Sequence, residues 1–278
     1  MATFPERALA SLNAVLAAAA DALLAPMLSW SPLASLATIA LVTAVVLLPV
    51  IARTSNQPRI RATKRAIQAG LFEIRLFGDD PLAVLRSFAE VLKLNVRYLG
   101  LSLVPVLWVL IPLALVLPQL EAFFGYGGLN LGAPAIVTVV RSAADSTALT
   151  ISAPPQIRVE TEAVTLVGSN EVVWRIVPTE RGAFTLAVHD GEQLIEKTIT
   201  VDNAPARKSP HRLQAGVVNQ LLYPSEPPLP AGPITAVSVR YPAPGLEIFG
   251  WSVHWLIAYG LMSMVCALIL APRFGVTL

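Results

Sequence analysis

Between Arg53 and Arg97 the chain holds nine Lys and Arg residues against four acidic ones, and long apolar runs flank this island on both sides. Short loops rich in Lys and Arg stay on the cytoplasmic side of a membrane, because translocating them is disfavoured during insertion. The island therefore predicts its own side. The flanking runs, residues 33–52 and 98–118, and a third run at 251–271 contain no Lys, Arg, Asp or Glu. Each reaches the roughly 20 apolar residues a helix needs to cross a hydrocarbon core about 30 Å thick. With only 14% charged residues in the chain, against about 25% in ordinary globular domains, a fully soluble fold is not expected. Three spans and a cytoplasmic island place residues 1–32 and 119–250 outside and the tail 272–278, with Arg273, inside. The predicted location is a bacterial-type inner membrane, N-terminus out and C-terminus in.

Residues 1–32 carry no compact signal-peptide pattern, since Glu6 and Arg7 nearly cancel and no small-x-small cleavage site follows an apolar core. The segment is expected to be retained. Leu9, Leu12, Leu16, Leu23 and Leu24, with Trp30, fit an interfacial helix on the outer leaflet, and packing against the spans fits equally well. Within the island, Ile60, Ile67, Leu71 and Ile74, then Leu82, Leu85, Leu92, Val96 and Leu99, recur at heptad-like spacings. Such spacing predicts two helices of a cytoplasmic hairpin over 53–97, with Leu85 and Leu92 in the seam between them. Gly78, Asp80 and Pro81 between the helices suit a stop, a cap and a first turn. Pro105 and Pro112 predict a bend in the second span.

From about Gly132 the pattern changes to period two. Runs at 135–140, 149–151, 157–159, 164–166, 172–176, 183–188 and 195–201, with turn residues such as Gly168-Ser169-Asn170 between them, read as seven short strands. That density predicts an immunoglobulin-like β-sandwich within 119–203. Residues 204–250 are Pro-rich and read as a linker with one strand at 234–241.

Little in the chain points to chemistry. His189, His211 and His254 have no ligand spacing, and no Gly-rich phosphate loop or nucleophile elbow occurs. No cofactor, no metal, no catalytic residue and no DNA partner is expected. Cys266 is the single cysteine and falls in the third span, so no intrachain disulfide can form. Trp251, His254 and Trp255 suit an aromatic belt at the outer interface.

The order of segments, the span ending Leu47-Leu48-Pro49-Val50, the following Thr54-Ser55-Asn56-Gln57, the basic hairpin and Val104-Pro105-Val106-Leu107 resemble the core of the YidC and Oxa membrane insertases, particularly their three-span relatives. The resemblance covers about residues 20–120. It implies a non-catalytic role in helping apolar segments enter the bilayer, with the hairpin making first contact. Ala44 stands where many insertases carry an arginine, and the sandwich lies between the second and third spans rather than ahead of the core. Two functions are open. In one, the chain is an accessory or structural subunit whose sandwich docks extracytoplasmic parts of other membrane-protein subunits. In the other, it is an insertase-like membrane chaperone whose Arg59, Arg61, Lys64 and Arg65 meet anionic lipid headgroups, the ribosome or the translocon.

Overall fold

Asparagine, aspartate and proline set the helix boundaries. The computed structural model describes residues 4–27, 30–77, 79–142, 148–166, 168–191, 193–202, 207–244, 246–248 and 250–276, so the expected stop at Gly78 lies outside the described residues. Helix α1 is Phe4–Leu24, followed by a 3-10 turn at Ala25–Met27. Helix α2 is Pro32–Thr54 and α3 is Gln57–Leu76. Asn56 caps α3, its Oδ1 accepting from Arg59 N at 3.2 Å. Helix α4, Pro81–Phe124, is a single element of 44 residues. Asp80 Oδ1 caps it by accepting from Leu82 N at 3.0 Å and Ala83 N at 3.3 Å, which satisfies donors that the helix itself leaves free.

The chain continues through strands β1 (Ala135–Arg141), β2 (Leu149–Ser152), β3 (Ile157–Val159), β4 (Val164–Leu166), β5 (Glu171–Pro178), β6 (Gly182–Asp190), β7 (Gln193–Val201) and β8 (His211–Leu213). Then follow a short helix α5 (Val217–Leu222), strand β9 (Ile234–Val239), a small hairpin of β10 (Glu247–Ile248) and β11 (Trp251–Ser252), and helix α6 (Trp255–Leu270). Three helical segments, Pro32–Thr54, Pro81–Phe124 and Trp255–Phe274, are long and apolar enough to cross a membrane. The second span and the second hairpin helix are thus one helix, uninterrupted at Pro105 and Pro112, and residues 119–124 belong to it rather than to the β region.

Two compact units divide the chain. One comprises Met1–Ser35 with Ala114–Ile257, the other Leu36–Leu113 with Ala258–Leu278. In the first, an antiparallel sheet of order β3-β5-β1-β9-β8, with β4 also on β5, faces a second sheet of order β2-β6-β7. Period-two alternation turns Val137, Ile176 and Val239 of one sheet onto Leu186, Ile199 and Val201 of the other. A second cluster gathers Trp174, 2% exposed, with Val139, Val188, Ile195, Ile234 and Val237. Arg141 of β1 and Asp190 of β6 form a buried ion pair at 3.1 Å that crosses between the sheets.

The Pro-rich segment is not a linker. Strand β9 occupies an interior position, pairing with β1 on one side and β8 on the other. The segment also closes the free edge of β7. There Arg212 donates to Glu196 O, Glu226 Oε1 accepts from Thr198 N at 3.1 Å, and Tyr241 Oη accepts from Thr200 N at 3.0 Å. Capping these groups removes a template on which another chain could add a strand. Beneath them, the fully buried Lys197 ammonium donates to Glu226 Oε2 and Ser209 O, both at 2.6 Å. Burial lowers the Lys197 pKa against the opposing pull of Glu226.

Beside this network, His211 Nδ1 lies 3.0 Å from Ser238 Oγ, and its ring sits edge-on to Tyr223 at 5.1 Å. Burial, with the Lys197 charge second, lowers the His211 pKa below its usual value. Between that lowered value and about 6.5 the unfolded chain holds more protons than the folded one, so stability rises with pH there. Acidifying from about pH 6.5 is therefore expected to lower the thermal midpoint of the β region. A His211→Gln variant is expected to flatten that slope, and an unchanged slope would contradict the assignment.

In the second unit, Tyr259 Oη of α6 donates to Thr43 Oγ1 of α2 at 3.0 Å. Leu48 packs with Ala271 and Val276 just past the end of α6. A polar pair thus joins two of the long apolar helices.

Candidate functional site

The hairpin of α3 and α4 packs along rows that differ from the heptad reading on the second helix. On α3 the inward row is Gln57, Ile60 and Thr63, buried, then Ile67, Gly70 and Ile74, half-buried. Leu71 faces out, so three of the four apolar residues expected there lie on the inward row. On α4 the inward row is Val84, Ser87, Val91, Leu94 and Tyr98. The two rows meet where a Cβ on Gly70 would stand 2.5 Å from Val91 Cγ2, and where Ser87 Oγ donates to Glu73 Oε2 at 3.4 Å.

Leu85 and Leu92 are therefore not the hairpin seam. They are 64% and 57% exposed, and Leu82, Val96 and Leu99 stand out with them. The physical reason lies at Gly70: its missing side chain lets the α4 backbone approach closely at Val91, one residue out of phase with the leucines. Helix α4 consequently carries two stripes, a mixed inward one and a leucine-rich outward one. At 1.5 Å per residue its 44 residues extend about 66 Å, more than twice what a span requires. Its charge-free part begins after Arg97. The outward stripe starts at Leu82 and continues through Leu103, Leu107 and Ile111 without a break, so one apolar surface runs from the hairpin into the charge-free part of the helix. Phe72, Leu76 and Phe77 at the end of α3 are exposed as well.

The four basic residues expected to make contact divide. Arg61 and Arg65, four residues apart, share one face of α3 with Arg75, and Lys64 is half-buried beside them. Arg59 points to a different side of the helix, nearly opposite Arg61 at 100° per residue. Arg61 also has an internal role, its guanidinium donating to Gly275 O at 2.7 Å. The cations of α3 thus do not form a single patch.

At the other end of α4, in the first unit, the expected belt also divides. Trp251 is 78% exposed and His254 is exposed, its Nδ1 accepting from Leu256 N at 3.3 Å at the start of α6. Trp255 is buried, stacked on Phe124, and donates Nε1–H to Glu121 Oε2 at 2.8 Å. A buried indole needs an acceptor, and the carboxylate of α4 supplies it. Trp255 is thus a packing residue and not part of a lipid-facing belt.

Sequence reasoning missed Arg207. Its guanidinium donates to Asp21 Oδ1 at 2.6 Å, Gln119 Oε1 at 2.7 Å and Ala17 O at 2.9 Å, and lies 5.0 Å from the Phe123 ring centroid. It joins α1 to the last turns of α4. No local pattern marks it, because its partners come from segments far apart in sequence. Among the described residues no group of three His, Cys, Asp or Glu side chains converges as a metal site would require.

No protein family, curated protein or solved structure matches this chain.

Proposed function

We propose that this chain is an integral membrane protein of a bacterial-type inner membrane, N-terminus outside, with the hairpin in the cytoplasm and an immunoglobulin-like sandwich outside. It acts without covalent chemistry, as an insertase-like chaperone for apolar helices of other membrane proteins. The observation that carries this reading is the outward stripe of α4, which exposes Leu82, Leu85, Leu92 and Leu99 on the hairpin and continues into the span. A hairpin that served only as a spacer would turn its leucines inward. Exposed apolar area of this extent marks an interaction surface, and an apolar helix laid along it could slide from hairpin to bilayer without leaving apolar surroundings. Arg61, Arg65 and Arg75 on one face of α3 suit lipid phosphates, ribosomal RNA phosphates or acidic flanks of the client, an attraction that salt weakens.

The second reading, a fixed accessory subunit, is favoured by the Arg207 clamp, which ties α1 to the last turns of α4 within the first unit and so gives that unit a defined surface for docking partners. Site-specific photocrosslinking in inverted membrane vesicles separates the two. Crosslinkers at Leu85 and Leu92 are expected to capture apolar segments of many nascent membrane proteins, together with ribosomal or translocon subunits, while one at inward Val91 captures none. Capture of one partner in fixed stoichiometry would favour the accessory reading. No capture from the stripe would overturn the insertase-like reading.

A further inference from the structure

Between Leu12 and Leu24 the outward side of α1 is mostly apolar. Between Ala8 and Leu24 its only charged residue is Asp21, which is held by Arg207, and Leu12, Val15 and Leu23 stand exposed among alanines. Beside α1 packs α5, a helix contributed by the β region. Asn13 Nδ2 donates to Gln220 O at 2.6 Å, and both side chains are buried. This join leaves Val217, Val218 and Leu222 of α5 facing out, each at least half exposed.

Two connections fix the level of this pair. Arg207 ties Ala17 and Asp21 to the turn of α4 at Gln119 and Phe123, where its charge-free run ends. Ser35 Oγ in the first turn of α2 donates to Met27 O, just past the end of α1, at 3.1 Å. The α1–α5 pair is thus tied to the first turn of α2 and the last turns of α4. Exposed Trp30 just precedes α2, and exposed Trp251 precedes α6 by four residues. Trp is the residue that favours this depth.

We propose that α5 and the outward side of α1 form one apolar docking surface for the outer leaflet, so that the β region itself is seated on lipid. This rests on the membrane reading of the three spans. The occupant is lipid because the surface is continuous with the ends of two spans. It carries no unpaired cation within the described side chains of α1 and α5, so seating depends on apolar insertion and is indifferent to anionic headgroups and salt.

The test uses the full chain with Cys266→Ser, reconstituted in phosphatidylcholine nanodiscs and carrying one cysteine labelled with an environment-sensitive fluorophore. Labels at Val218→Cys, at Leu107→Cys in the span and at Leu194→Cys on β7 are compared with and without lipids spin-labelled near the headgroup or deep in the chain. The expected result is at least a twofold loss of emission at residue 218 with the shallow quencher, a comparable loss at residue 107 with the deep one, and none at residue 194. Quenching at 107 but not at 218 overturns the docking surface and leaves the spans standing. Absence of quenching at 107 overturns the membrane reading itself. Quenching at 194 equal to that at 218 also overturns the proposal, because lipid would then meet the β region without using α5.

Discussion

A fragment of residues 126–244 is expected to fold on its own, and one ending at residue 205 is not. The shorter piece contains the seven strands that alternate most clearly, yet it lacks β9, which pairs with β1 along Val137 to Arg141. With β9 and its flank go Leu229, Ile234, Val237 and Val239, all at most 3% exposed. At about 1.5–3 kcal/mol for each buried aliphatic side chain, their loss removes about 6–12 kcal/mol. A whole domain is stable by only about 5–15 kcal/mol. Trp174 is the single tryptophan of either fragment and is buried against Ile234 and Val237 of the missing part, so its fluorescence reports the core directly. In urea the longer fragment is expected to give one cooperative transition. The shorter one is expected to show solvent-exposed tryptophan emission before any urea is added. A cooperative transition of similar midpoint in both would mean that β9 contributes nothing to the core.

Which parts were legible follows from how local each signal is. Strands β1 to β3 and β5 to β7 announce themselves by alternation because each has one face on the core, and Asp80 with Pro81 marks the start of α4 because capping acts within one turn. The segment 207–244 was harder to read because prolines interrupt it and β8 is only three residues long; its membership of the sheet depends on partners far away in sequence. The hairpin seam departs from the heptad pattern for a related reason. Hydrophobicity ranks Leu85 and Leu92 above Val84, Ser87 and Val91, but the packing follows the small residue Gly70 on the facing helix, which no pattern within α4 records. Lys197 did leave a signal. It stands in phase with Ile195, Ile199 and Val201 on β7, so alternation alone turns its side chain inward, and an inward lysine demands a buried acceptor. The identity of that acceptor, Glu226, could not be read from the strand.

Glu226→Ala is expected to destabilise the β region by about 3–5 kcal/mol, because it strands a buried ammonium rather than deleting an attraction. Lys197 is fully buried, the Glu226 side chain is 12% exposed, and after the substitution only Ser209 O remains as a strong acceptor. The loss also uncaps Thr198 N at the β7 edge. Burial already lowers the Lys197 pKa, and removing the carboxylate removes the interaction that opposed that shift. Between the folded value and the unfolded value near 10.4, the unfolded chain then binds more protons, so stability rises with pH across that window. The gap between parent and variant is therefore expected to narrow as pH approaches 10. A joint replacement, Lys197→Met with Glu226→Leu, removes both charges and is expected to recover most of the loss, since apolar substitutes for a buried pair are often neutral or stabilising. Urea titrations of the three proteins at pH 7 and 9.5 make the comparison. A Glu226→Ala midpoint within experimental error of the parent, or a double variant no better than the single one, would show that the pair is not what closes this edge of the β region.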